Sequence, residues 1–358
     1  MNDFLVIGGG IAGVSAAARL SHLGKVTILE AEDALGYHTS GRSAAMFEET
    51  YGSTSTVALN RASRDYLATA NEGVLSPRGL MLIGKHDDAD AFANDMDAMA
   101  MEPMTFAEAL QIIPILNPVA VKHIGYHKHA WDIDTNMLIQ NFAREVRANG
   151  GTIQTGQRVN KISKTSAEWR ATTDKQEFSG KTLINAAGSW VDQTAVLAGI
   201  RPLGFTPFRR SVARIPAPGG LDISGWPLMF GPGETWYAKP DAGKLIVSPA
   251  EEDPTEPHDA WTEDLVLAEG IARYEGVVTE PVTRLENSWA GLRTFSPDRS
   301  LVIGPDPVEP SFFWVAGQGG YGFQTSAGAS RLVADLIAGN QSELDMSVVT
   351  ALSPARFS

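Results

Sequence analysis

Apolar residues fall into short, punctuated runs from the start of the chain. Residues 3–7, DFLVI, form a continuous apolar stretch ending at glycine, the pattern of a strand buried on both faces. Over 11–23 the positions Ile11, Val14, Ala18 and Leu20 recur at helical spacing with Gly24 as the stop, and KVTILE then reads as a second buried strand. Between the first strand and the helix stands Gly8-x-Gly10-x-x-Gly13, and Glu30 closes the second strand. This places a dinucleotide-binding fingerprint in its full strand–turn–helix–strand context. Gly8 permits the tight turn, Gly10 lets backbone amides approach a pyrophosphate, and Gly13 lets the helix lie close on the strand. Glu30 would accept ribose hydroxyls, and an acid there disfavours a 2′-phosphate. NAD and FAD both satisfy this unit.

Further along, LSPRGLMLIG, SVARIPA, WYAKP and GKLIVSP are short β-like runs broken by Pro and Gly, as in an antiparallel sheet. Asp134 opens a helical pattern, NMLIQNFAREVRANG, that closes on Gly150 and Gly151. KTLINAAGSWVD, 181–192, is a strand running into a small-residue turn and a helix, where Ala186, Ala187 and Gly188 suit close approach to a ligand. FFWVAGQGGYGFQTSAGASRLVADLI, 312–337, is a strand, a glycine-rich loop and a helix whose first amides can face an anion. The acidic stretch 87–103 reads as a solvated helix, and HIGYHKH as an exposed strand edge rather than a metal site.

A chain of 358 residues exceeds what one hydrophobic core usually supports, so two lobes are expected. The net charge of −13 argues against nucleic acid or an anionic membrane surface as partner. With no cysteine, disulfides, thiol nucleophiles and cysteine-linked flavin are excluded, and a cytoplasmic setting fits. The opening FLVIGGGIAGVSAAARL imitates a signal-peptide core, but it lacks a basic flank and carries four glycines, so it reads as folded protein without membrane insertion.

One stretch remains: GYHTSGRSAAMFEETYG, 36–52, too small and polar to bury itself as core. Together with the fingerprint and the two later strand–turn–helix units, it resembles the D-amino acid oxidase superfamily of FAD enzymes. Within that superfamily the chain shares with bacterial D-arginine dehydrogenases, in order, GYH-small-small-GRSAA, NAAG-small-W, RPLG, RRS, Y-x-KPDAG, WAGLR and QGGYG. The resemblance implies a mixed α/β fold. A Rossmann-like FAD domain takes 1–76, 137–206 and 296–358, and an antiparallel-sheet substrate domain takes 77–136 and 207–295. It implies non-covalent FAD, held by Gly8, Gly10, Ile11, Ala12, Gly13, Glu30, Ala31, Val159, Ala187, Gly188, Trp190, Arg293, Gly319, Gly320, Tyr321, Gly322, Phe323 and Gln324. His38, Ser40, Gly41, Arg42, Ser43, Ala44 and Ala45 would run along the flavin. His38 lies near the expected ring, which leaves attachment through histidine open. Arg42 is expected to hydrogen-bond a ring edge or phosphate.

The implied reaction is oxidative deamination of a D-amino acid, with hydride passing from the α-carbon to flavin N5 and the imino acid hydrolysing to a 2-oxo acid. Arg210 and Arg293 match the guanidiniums that clamp the substrate carboxylate, a planar fork meeting two oxygens. Tyr237 and Tyr51 match hydroxyls beside it, and Gly320 and Tyr321 lie on the loop whose carbonyl holds the amine. Arg209, next to Arg210, is ambiguous. Where the arginine enzymes carry a glutamate for the substrate guanidinium, this chain has Leu80. Leu228, Phe230 and Met46 are also apolar at the pocket, Phe47 follows Met46, and Glu48 replaces a threonine. The expectation is a neutral or apolar substrate side chain. The alternative is a cation held by Glu48 or Glu49. Glycine, sarcosine, another N-methyl amino acid or a 2-hydroxy acid would use the same clamp. No lysine follows Lys244 in LIVSPA, which leans toward a dehydrogenase passing electrons to a quinone or other acceptor.

Overall fold

The computed structural model describes residues 2–357. The first strand, Asn2–Ile7, pairs in parallel with Val26–Leu29 on one side and Glu177–Asn185 on the other. Thr152–Gln154 and Phe312–Ala316 extend this parallel core at its two ends. Val302–Pro305 and the ribbon Val159–Lys164/Trp169–Thr173 add antiparallel strands, making eight in all. Alternation along a strand sends side chains to opposite faces. Val6, Ile28, Ile184 and Phe313 therefore pack under the helices Ile11–Leu20, Thr135–Ala148 and Gly322–Ala338. Leu5, Leu29, Leu183, Phe312 and Trp314 meet the ribbon residues Ile162, Trp169 and Ala171 on the other face. Burial on both faces explains why DFLVI and KVTILE are apolar throughout.

The first helix ends at Leu20, three residues short of the expected boundary, because residues 21–24 close into a turn with the Gly24 N–H on the Leu20 carbonyl. The helix Thr135–Ala148 starts as read, with Asp134 accepting from the Met137 N–H at 2.8 Å.

Among the described residues the second sheet has nine strands. Thr206–Ile215 pairs with Asn287–Phe295 on one side and with Asp253–Pro254 and Lys244–Ser248 on the other, followed by Tyr237–Asp241, Leu228–Phe230, Leu80–Gly84, His123–His127 and Glu102–Pro103. It is antiparallel except where Leu228–Phe230 runs parallel to Leu80–Gly84; these strands come from distant stretches, so no hairpin dictates their sense. Two readings need correction. The run LSPRGLMLIG breaks at Gly79, φ +77, where a β-carbon would lie 2.9 Å from the Tyr126 hydroxyl. Its first half, Leu75–Pro77, joins a separate three-stranded sheet with Met46–Phe47 and Trp131–Ile133. The strand in HIGYHKH is interior, because Glu102–Pro103 pairs along its outer side. Among the described residues no helix is long and apolar enough to cross a membrane.

Candidate active site

At the fingerprint the backbone is closed to side chains. Gly8 has φ +106, and a β-carbon there would sit 2.3 Å from the Ala186 carbonyl oxygen; one on Gly13 would lie 1.9 Å from the Gly8 oxygen. Glu30 is only 8% exposed, and its two carboxylate oxygens accept the N–H groups of Gly9 at 2.7 Å and Glu32 at 2.9 Å. Burial still pushes its pKa up against those two bonds. Gly10 supplies no side-chain cap to the helix Ile11–Leu20, so Ser40 supplies one from the next loop, its hydroxyl accepting the Ile11 N–H at 3.0 Å.

From this turn a continuous cleft runs between the two large sheets in three compartments. The first is lined by Gly8, Gly10, Glu30, Ala31, His38, Ser40, Val159, Ala187, Gly188 and Trp190. The second shares Gly10, Ser40 and Gly188 and continues along Ile11, Ala12, Arg42, Ser43, Ala44, Ala45, Gly319, Gly320, Gly322, Phe323 and Gln324. Gly188 has φ +57 with nothing within 4 Å of a β-carbon position, so it borders open space. The helix Gly322–Ala338 presents its N-terminus here, with no side-chain cap at Tyr321. Its first amides and dipole are therefore directed at the compartment.

The third compartment is the chamber between the sheets. Arg210, Tyr237, Arg293, Met46, Gly320 and Gln324 are common to it and the second, and Glu48, Tyr51, Leu80, Leu228 and Phe230 complete the expected set. Arg210 and Arg293 come from neighbouring antiparallel strands, in which Arg210 faces Gly291 and Phe208 faces Arg293. Arg293 has no ion pair within 4 Å and donates no hydrogen bond among the described residues, although Arg210 pairs with Glu252 at 3.2 Å. Burial, then the charge of Arg293, holds the pKa of Arg210 down. Burial also acts to lower that of Arg293, but the surrounding Tyr51, Tyr237, Glu234 and Glu252 outweigh it and the net shift is upward. Gly320 lies close under the Arg293 side chain: a β-carbon there would lie 3.0 Å from the guanidinium carbon and press on it. Gln324 Nε2, Arg210 Nε and Glu48 Oε2 are buried without a hydrogen-bond partner. Buried donors are normally satisfied, so the first two call for acceptors from a ligand.

Several residues sit differently from expectation. The Arg42 guanidinium does not reach for a ring edge or phosphate; it donates to the carbonyls of Ala260 at 3.0 Å and Ala290 at 2.9 Å and pairs with Asp259. His38 lies in the first compartment, 3.2 Å from Glu32 and with its ring tilted against Trp190 at 4.7 Å, away from the chamber. Gly13 and Gly41 touch none of the compartments: Gly13 lies within the helix Ile11–Leu20, packed on the Gly8 carbonyl, and the Gly41 N–H closes a turn onto the Gly36 carbonyl at 2.6 Å. Tyr321 lies behind the chamber wall, its ring 5.4 Å from Tyr51 and 6.5 Å from Phe295. Glu49 is turned outward to Arg61 and Arg64 and has no place in the chamber.

The sequence reading missed Met99, Trp236 and Glu234, which also line the chamber. Glu234 accepts the Tyr51 hydroxyl at 2.5 Å. Tyr51 is held protonated by burial and by this carboxylate, its pKa well above the usual tyrosine value. The signal for Glu234 was weak: a lone acid in GPGETW, on a turn at φ 52.

The geometry fits a long ligand with phosphates at one end and a planar polar ring at the other. Comparison with known proteins agrees. The model of the DAO family, FAD dependent oxidoreductases, matches residues 3–336. FAD-dependent oxidoreductase domain-containing protein 1 of Bos taurus is 22% identical over 401 aligned positions, 94% of this chain and 81% of the relative. A D-amino acid dehydrogenase of Rhizobium johnstonii is 44% identical over 57 residues, 16% of this chain and 14% of that one. Glycine oxidase from Geobacillus kaustophilus superposes with a TM-score of 0.82 at 21% identity, covering 98% of each chain. The chain belongs to the DAO family of FAD-dependent oxidoreductases, and FAD is its cofactor.

Proposed function

We propose that this enzyme oxidises an α-amino acid, of the D series, to an imino acid that hydrolyses to the 2-oxo acid. The observation that carries this is Arg293: a half-buried guanidinium in the chamber wall with no ion pair within 4 Å among the described residues, beside Arg210 and two tyrosine hydroxyls. A single carboxylate satisfies the fork of Arg293, relieves its repulsion with Arg210 and can accept from Tyr237. The sheets divide the work between two lobes, cofactor on the parallel sheet and substrate on the antiparallel one. In the cleft, Glu30 would hold the ribose, the Gly8–Gly13 turn the pyrophosphate, and the 40–45 segment with Gln324 and the first amides of its helix the ring. FAD, when bound, supplies the two-electron acceptor for the C–H bond next to the amine. Attachment is non-covalent, because His38 lies at the Glu30 end of the cleft.

With the carboxylate fixed, the substrate side chain projects toward Leu80, Leu228, Phe230, Met46, Met99 and Trp236, which favours a neutral or apolar group. A second reading rests on Glu48 and Glu234, two carboxylates in the same chamber, which would suit an amino acid ending in a cation. A quinone or other small acceptor and a cytoplasmic location complete the proposal. The test is anaerobic mixing of the FAD-loaded protein with a panel of compounds while following loss of visible absorbance. Bleaching by D-Leu, D-Met or D-Phe is the expected result. Preference for D-Arg and D-Lys selects the second reading. Bleaching only by sarcosine, glycine, L-amino acids or 2-hydroxy acids overturns the substrate class.

A further inference from the structure

The Arg42 guanidinium, on the segment that borders the cofactor cleft, is held from the other sheet. Its carboxylate partner Asp259 belongs to residues 253–263, an irregular stretch between the two-residue strand Asp253–Pro254 and the helix Asp264–Glu275. Both ends of this stretch are tied to one side chain: Arg209 reaches Glu263 at 2.6 Å and Asp253 at 3.4 Å, and is only 11% exposed. Alternation along the strand thus explains the adjacent arginines, since Arg210 faces the chamber while Arg209 turns away to pin the loop.

The middle of the loop closes over the cleft segment. Besides the ion pair with Arg42, Asp259 accepts the Tyr37 hydroxyl at 3.4 Å and lies 3.8 Å from His38 Nδ1. Arg42 also sits over the Tyr37 ring, 5.6 Å from its centroid. Tyr37 and His38 line the first compartment of the cleft, and Arg42 lines the second. One exposed carboxylate therefore touches three residues of the cleft wall, all from the loop that follows the strand Val26–Leu29.

We propose that residues 253–263 form a strap that retains FAD, with Arg209 fastening its ends and Asp259 acting as the latch through Arg42. Asp259 is a positioning residue: it holds the 37–42 segment closed and reaches the cofactor only through that segment. The inference rests on the reading that this segment borders the bound FAD. Because Asp259 is about half exposed, the latch is a modest contributor and sensitive to salt.

The test uses the holoenzyme and the rate of FAD release, followed as recovery of free-flavin fluorescence after a large dilution that makes rebinding negligible. Asp259→Asn should release FAD roughly three- to tenfold faster, the tenfold limit corresponding to about 1.4 kcal/mol. Asp259→Glu should stay close to wild type. The wild-type protein alone gives a second readout that needs no substitution. Raising NaCl from about 0.1 M to about 1 M shortens the screening length from roughly 10 Å to roughly 3 Å, and release should speed up, with Asp259→Asn far less responsive. Equal release rates for wild type and Asp259→Asn, or a salt response that persists unchanged in the variant, overturns the strap. These readouts need no substrate, so they fail or succeed independently of the proposed reaction.

Discussion

Replacing Arg293 with methionine keeps much of the side-chain length and removes the charge and the fork. If the clamp is real, the substrate carboxylate loses two charge-assisted hydrogen bonds, each worth about 1.5–3 kcal/mol. The gross loss is then about 3–6 kcal/mol. That corresponds to roughly two to four orders of magnitude in kcat/KM at about 1.4 kcal/mol per decade. The assay is stopped-flow anaerobic reduction at varied substrate concentration, with the ratio of visible to ultraviolet absorbance confirming full FAD content. Arg293 is only half-buried and its side chain makes no ion pair or hydrogen bond among the described residues, so its removal should not unfold the protein. A decrease below fivefold in kcat/KM, with FAD retained, would falsify the clamp.

Three further outcomes follow from local geometry. Gly13→Ala pushes a methyl into the Gly8 carbonyl, 1.9 Å from its oxygen, so the fingerprint turn must open and purified protein should be colourless or nearly so; a fully yellow variant would contradict the cradle. Leu80→Glu puts a carboxylate at the floor of the chamber, and the ratio of D-Arg to D-Leu in kcat/KM should rise at least about tenfold, the worth of one net charge-assisted bond; an unchanged ratio would place the substrate side chain elsewhere. Asp298 is held down to about 2 from 3.8 despite the opposing effect of its burial, by hydrogen bonds from Arg356, Ser296 and Ser300. Its folded pKa is the depressed one, so the stabilisation is complete above about pH 4 and lost as pH falls toward 2. Acid unfolding of Asp298→Asn should lack that component over this window.

The parts of the site that repeat a local rule were legible in the chain. Gly8, Gly13 and Glu30 announce themselves because turn, helix and acid fall within one continuous stretch, and the structure brings the three together at one turn. Arg210 and Arg293 lie 83 positions apart in sequence; their convergence on one chamber came from resemblance, and strand pairing supplies the physical cause. What escaped is what distant chain segments decide. Arg42 looked like a ligand for phosphate until Asp259, 217 residues away, claimed it. Glu234 had no local signature, because its turn is anchored by the Gly233 N–H on Asp95, 138 residues distant, and only that contact sets it opposite Tyr51. The interior placement of His123–His127 likewise depends on a two-residue strand too short to announce itself.

The central claim is that a carboxylate-bearing amine is oxidised in this chamber, and one comparison tests it most directly. FAD-loaded protein is mixed anaerobically with D-leucine and, separately, with isopentylamine, the same carbon skeleton without its carboxylate, and the visible band is followed to completion. The account predicts bleaching by D-leucine and none on the same timescale with the amine. Equal bleaching by both, or reduction by the amine alone, would contradict it.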